Sequence, residues 1–152
     1  MSVAWLQRGS DDFAKVEAFI SRKIFGTAQA MLGDTAMVSM NAAGDALGAA
    51  LFQNFYRSFG TIEISAAAVS PRWLSRSVLF EMFTYAFDQL GCQAVILRCD
   101  PDNAVMQRIA TAYGFERYEI PRLRGRDKAE TIHVLADDVW RKNGYHKEHV
   151  NG

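Results

Sequence analysis

The chain has 152 residues, 49% apolar and 22% charged, with a formal net charge of zero. That length suits one domain spanning 1–152 with an ordinary core. The charge balance excludes a global pull toward nucleic acid or an anionic membrane. Cys92 and Cys99 have no ligand-like companions, so neither a zinc pattern nor a disulfide framework is present, which fits a reducing cytoplasm. The opening stretch MSVAWLQRGSDD has no apolar run of leader length, and no run reaches the ~18 apolar residues of a membrane span. The expectation is a cytoplasmic protein with no membrane partner.

In chain order, Ser10-Asp11-Asp12 reads as a helix start, with Phe13, Val16, Phe19, Ile20 and Ile24 at helical spacing and Gly26 as the stop. Thr27 to Leu32 reads as a further helical stretch. Ala36–Met40 and Ala46–Tyr56 flank the turn residues Asn41-Ala42-Ala43-Gly44-Asp45, a hairpin pattern. Thr61–Val69 is the next strand, completing an antiparallel meander. After Ser70-Pro71 comes the clearest helix, with Trp73, Leu74, Val78, Leu79, Met82, Phe83, Ala86, Phe87 and Leu90 as a broad apolar stripe ending at Gly91. Ala94–Leu97 reads as a buried strand. Asp100-Pro101-Asp102-Asn103 then opens a helix over Ala104–Ala112, closed by Gly114. Arg117–Arg122 and Glu130–Leu135 are strands around a charged tip, Arg124 to Lys128, and Ala136–Lys142 is a short helix or a continuation of the strand. Residues 144–152 read as a frayed tail. The order is helix, three antiparallel strands, helix, strand, helix, two strands: a mixed α/β sandwich with its sheet covered on both faces.

Two segments carry a resemblance. Val69-Ser70-Pro71-Arg72-Trp73-Leu74-Ser75-Arg76-Ser77-Val78-Leu79, and Asp102-Asn103-Ala104 with the later Gly114-Phe115, resemble the pyrophosphate turn and the Asn…Gly-Phe helix of the GNAT N-acetyltransferase superfamily. A narrower likeness, in Pro71-Arg72-Trp73 and Leu90-Gly91-Cys92, is to GNAT-like proteins of phage and prophage genomes. The chain departs from the pattern: Leu74 stands at the usual Arg/Gln position, Ser75, Ser77 and Leu79 replace small or glycine positions, and Ala110 replaces a common tyrosine.

The resemblance implies a central mixed sheet flanked by helices, acetyl-CoA as co-substrate, no metal, and an amine acceptor. It implies that Ala67 and Val69 on the strand, Leu74, Ser75, Arg76, Ser77 and Val78 at the following helix start, and Asn103 hold acetyl-CoA. Amides, not glycines, are the phosphate donors, so the site is chemically possible here. The alternative is a solvated first turn of a helix; the matched Asn103…Gly114-Phe115 element favours the phosphate reading.

An acetyl transfer needs a base for the amine and an acid for the thiolate. Glu63 is the only acid in the central strand, and a glutamate on this strand serves as base in many GNAT enzymes; a surface-facing strand residue is equally consistent. Tyr113, Tyr118 and Ser77 are the candidates for the acid, or solvent fills that role. His133 reads as a packed histidine, and His146 and His149 as tail residues without a third metal ligand. Arg117, Arg122, Arg124, Arg126 and Lys128 form a local basic patch, a solvated hairpin or a contact for a CoA phosphate, an acidic protein or nucleic acid. Three readings stand: an acyl-CoA-dependent N-acyltransferase, a catalytically inactive binding or structural protein on that scaffold, and a phage-type nucleic-acid or protein modification or binding factor. Trp5, Phe52, Phe55, Tyr56 and Phe59 read as core aromatics, with an acceptor pocket or a homodimer contact as the alternatives.

Overall fold

The computed structural model describes residues 1–143, so the expected tail, with His146 and His149, lies outside the described residues. Its elements in chain order are β1 (Ser2–Gln7), α1 (Asp11–Phe25), β2 (Gly33–Met40), β3 (Ala46–Tyr56), β4 (Thr61–Ala68), α2 (Arg76–Thr84), β5 (Ala94–Cys99), α3 (Ala104–Tyr113), β6 (Glu116–Ile120), β7 (Glu130–Ala136) and α4 (Asp137–Lys142). The seven strands form one sheet in the order β1-β2-β3-β4-β5-β7-β6. β4 and β5 are the parallel pair, and the other pairings are antiparallel.

Alternation along β4 divides the molecule. Ile62 and Ile64 point into a core shared with α2, α3 and Trp140 of α4. Ala67 points into a second core with Phe13 and Ile20 of α1. The helices therefore sit on both faces of the sheet, as expected from the sequence.

Local caps account for the helix ends. The Ser10 hydroxyl accepts from the Phe13 amide, and Gly26 ends α1 at φ 82°. Asn103 accepts from the Met106 amide, and Gly114 ends α3 at φ 112°. α2 runs on through a π-turn, Tyr85–Gln89, in which the Leu90 amide reaches back to the Tyr85 carbonyl.

Four readings of the sequence are corrected. Thr27–Leu32 is not helical. Its backbone is bonded to side chains instead: the Gln29 amide to Ser21 Oγ, the Met31 amide to Glu17 Oε2, and the Met31 carbonyl to Arg8. Ser2–Gln7 is an edge strand absent from the sequence reading; Val3-Ala4-Trp5-Leu6 does not alternate cleanly between apolar and polar. The helix after Pro71 starts later, at Arg76, because Val69 and Ser70 both donate to the Leu47 carbonyl and the Trp73 carbonyl accepts from the buried Ser39 hydroxyl. β6 stops at Ile120, before Arg122, whose φ of 71° breaks the extended chain.

Candidate active site

The sheet forks between its two central strands. The β4–β5 ladder runs from Thr61 opposite Ala94 to Ile64 opposite Leu97. Beyond that pair β4 stays with β3 as far as Ala68 opposite Gly48, while β5 stays with β7 as far as Cys99 opposite Thr131. Each strand follows its outer partner, so the edge of β4 from Ser65 to Ala68 loses its inner neighbour. Small side chains line that edge. A cleft of about 440 Å³ opens in the fork. It passes through the sheet: Lys23 and Ile24 of α1 border one side, and Val105, Met106 and Ile109 of α3 the other. Val105 and Ile109, one helical turn apart, are exposed apolar residues on that rim.

Glu63 lies at the root of the fork, opposite Ile96 in the last pair but one of the ladder. Its side chain is on the α1 face, half-buried. Gln53 Nε2 donates to Glu63 Oε2 over 2.9 Å, and Asn54 Nδ2 approaches Oε1 at 3.5 Å. The two amides come from an irregularity in β3 between Gln53 and Tyr56, where Asn54 adopts a φ of 54°. A non-glycine residue in that region is uncommon, and it persists where the surroundings demand it. Gln53 Nε2 also donates to the Ser65 hydroxyl. Burial pushes the Glu63 carboxyl above its ordinary value, against the charge of Arg98 and the two amide bonds.

On the same face Arg98 donates from Nε and Nη2 to Glu130 Oε1, at 2.9 and 2.7 Å. Arg124 pairs with Glu130 Oε2 at 3.1 Å. Both arginines line the cleft. Asp100, at its end, pairs with Lys128 at 3.0 Å.

The residues singled out from the sequence fall into different places. Ala67 and Asn103 line the cleft. Leu74 lines an adjoining apolar cavity of about 40 Å³ between α2 and α3, together with Leu79 and Tyr113; this cavity shares Ile64, Ala66, Trp73 and Leu97 with the cleft. Val69 is exposed, with its amide bonded to Leu47. Ser75 is the N-cap of α2: its hydroxyl accepts from the Val78 amide at 3.2 Å and lies 3.1 Å from Ser77 Oγ. Arg76 and Ser77 are exposed in the first turn, and the Val78 side chain is buried. Tyr113 is buried. Its ring stacks on Phe83 at 4.9 Å, and its hydroxyl accepts from Trp140 Nε1 at 3.1 Å. Tyr118 is exposed on β6 and donates to Glu116. His133 is fully buried, and burial together with nearby Arg117 keeps its imidazole below the usual value.

Sequence reasoning misses Gln53, Asn54, Lys23, Arg98 and Glu130, and places Arg124 only on a hairpin tip. Two signals are present: Gln53 ends the apolar run Ala49-Ala50-Leu51-Phe52, and Arg98 ends the apolar run of β5. Among the described residues no group of three or more His, Cys, Asp or Glu side chains could hold a metal ion, and no helix is long and apolar enough to cross a membrane.

No protein-family model matches the sequence, and no curated protein matches it. Solved structures do match. A GCN5-related N-acetyltransferase from Brucella melitensis superposes over 98% of this chain and 81% of its own, at 17% identity and a TM-score of 0.69. A mutant of the spermidine N-acetyltransferase SpeG from Vibrio cholerae superposes over 93% of this chain and 98% of its own, at 13% identity and a TM-score of 0.65. A T. thermophilus protein described as an acetyltransferase matches 77% of this chain, at 16% identity and a TM-score of 0.62, and the match spans only 65% of that protein's length. The mixed seven-stranded sheet with flanking helices is thus the GNAT acetyltransferase fold. At these identities the likeness establishes the fold, and activity has to be argued from the site.

Proposed function

We propose that the protein is an acyl-CoA-dependent N-acyltransferase that moves an acetyl group from acetyl-CoA to an amine. The observation that carries this reading is the forked β4–β5 pair with Glu63 at its root. Acetyl-CoA supplies an activated acyl thioester. The chain supplies the rest. The open edge Ser65–Ala68 has backbone groups and room for an extended arm, and Val105 and Ile109 give that arm an apolar wall. Asn103 borders the cleft where α3 begins. The first turn of α2 lies beyond Pro71, with Arg76 and Ser77 at its surface.

Glu63 accepts the proton of the incoming ammonium, directly or through water, and releases it to solvent. Burial raises its proton affinity above that of a free carboxylate, which strengthens it as a base. Gln53 and Asn54 hold the carboxylate in place. Tyr113 is buried in the core, stacked on Phe83, so in this reading the departing thiolate takes its proton from solvent. Holding the two reactants on either side of the fork supplies the remaining acceleration.

One observation favours a second reading, a ligand-binding protein without chemistry. Ser75 already takes the Val78 amide, which leaves fewer amides at the α2 start for a pyrophosphate. A nucleic-acid role for the arginine hairpin has less support. Three of its five cations are paired, Arg124 with Glu130, Lys128 with Asp100 and Asp102, and Arg117 with Glu119, while Arg122 and Arg126 are exposed.

Calorimetric titration and a thermal shift with acetyl-CoA test the proposal. Binding should raise the midpoint as RT ln(1 + [L]/Kd). A folded protein that ignores millimolar acetyl-CoA is not an acyltransferase of this kind. Binding without transfer to any amine supports the second reading.

A further inference from the structure

The charges around the cleft are uneven. Its ionisable lining includes Lys23, Arg98, Arg124 and Asp100. Asp100 shares Lys128 with Asp102, so the Asp100 end of the cleft keeps an excess negative charge. Glu130, whose side chain is only 6% exposed, serves both arginines, one on each oxygen. One carboxylate cannot neutralise two guanidinium groups, so this pair keeps an excess positive charge. Lys23 lies 6.0 Å from the Phe19 ring, and among the described residues no carboxylate pairs with it. Lys23, Arg98 and Arg124 therefore leave a cationic corner in the cleft, next to the Glu63 carboxyl that Arg98 reaches electrostatically.

We propose that the amine acceptor carries an anionic group, a carboxylate or a phosphate, which Lys23, Arg98 and Arg124 hold while the amine faces Glu63. The acceptor role rests on the acyltransferase reading; the anion site itself does not. A guanidinium has five donors in a planar fork, and Arg98 spends only Nε and Nη2 on Glu130. Its remaining donors suit a carboxylate or phosphate oxygen. Glu63 and Arg98 lie within electrostatic reach of one another, so the positive and negative ends of the ligand lie close together. The matching class is a small bipolar amine. A polyamine is the wrong class, because its additional ammonium groups would meet Lys23, Arg98 and Arg124.

The test uses the full chain and four probes: β-alanine, phosphoethanolamine, propylamine and spermidine. Each is titrated calorimetrically, then offered as acceptor with acetyl-CoA. At least one anionic amine should bind about tenfold or more tighter than propylamine and spermidine, the scale of a lost charge-assisted contact. The order of β-alanine and phosphoethanolamine distinguishes carboxylate from phosphate. In Lys23→Gln and Arg124→Gln that preference should fall about tenfold, with acetyl-CoA affinity moving less than about twofold. Lys23→Gln is a surface change, so it remains informative if Arg124→Gln unfolds by stranding Glu130. The proposal is overturned if spermidine or propylamine matches the anionic amines, or if no amine binds. It is also overturned if the substitutions weaken acetyl-CoA and spare the amines, which would give the cations to the CoA phosphates. If an anionic amine binds and acetyl-CoA does not, the site stands and the acyltransferase reading falls.

Discussion

Gln53 stands opposite Glu63 across the β3–β4 pair and donates to its carboxylate over 2.9 Å. That bond, with Asn54 on the other oxygen, orients a carboxyl whose burial raises its proton affinity. Activity should therefore rise with pH through a value higher than that of a solvent-exposed glutamate. Glu63→Gln should lower kcat by about 10²-fold or more and flatten that limb, with acetyl-CoA affinity unchanged. Equal turnover in the variant would remove Glu63 as base.

The same residue makes a stability prediction. A carboxyl with a raised value in the folded state contributes most below its unfolded value, and that contribution is lost as pH rises through the folded value. At neutral pH the charged, half-buried Glu63 is a net cost. Glu63→Gln should then melt higher than the parent at pH 7, and the gap should close as the pH falls into the ordinary carboxylate range, about pH 4. A lower midpoint at pH 7 would contradict the direction of the shift.

Tyr113→Phe removes the acceptor of a buried indole N–H. The expected loss is about 1–3 kcal/mol of stability. Turnover per folded molecule should stay unchanged, because the side chain is buried in the core. A variant with the parental midpoint and no turnover would return Tyr113 to the role of general acid.

Gly48 supports the loop between β4 and α2. A Cβ there would stand 2.6 Å from the Trp73 ring, which is buried. Gly48→Ala should cost about 1–3 kcal/mol through overpacking and move the 70–75 loop, weakening acetyl-CoA binding. Denaturant melts and calorimetry on the same sample would check both effects.

Ser75→Ala should cost about 1 kcal/mol, since it deletes the α2 cap. Hydrogen exchange at the Val78 amide should quicken. Unchanged protection there would mean that the Ser75 hydroxyl does not hold that amide in solution.

The parts of this fold legible in the sequence are those built by neighbours in the chain. Ser10 with Gly26, and Asn103 with Gly114, mark α1 and α3 because each cap is bonded within a turn of the helix it closes. The meander is legible because its turns are short. Thr27–Leu32 imitates a helix in sequence because the polar partners that hold it otherwise, Ser21, Glu17 and Arg8, lie elsewhere in the chain. β1 escapes a local reading because its pairing with β2 spans the whole of α1.

From the residues alone follow the order of the elements from α1 onward, the helix caps, and one acid in the central strand. Three features belong to the assembled molecule: β4 and β5 part after Ile64 and Leu97, Tyr113 turns into the core, and Arg98, Arg124 and Glu130 share one corner of the cleft. The reason is physical: caps and periodicity act over a turn of helix or a few strand residues. The antiparallel pairing of β5 with β7 sets residues far apart in the chain, such as Cys99 and Thr131, side by side, and no local pattern records which charges that pairing brings together.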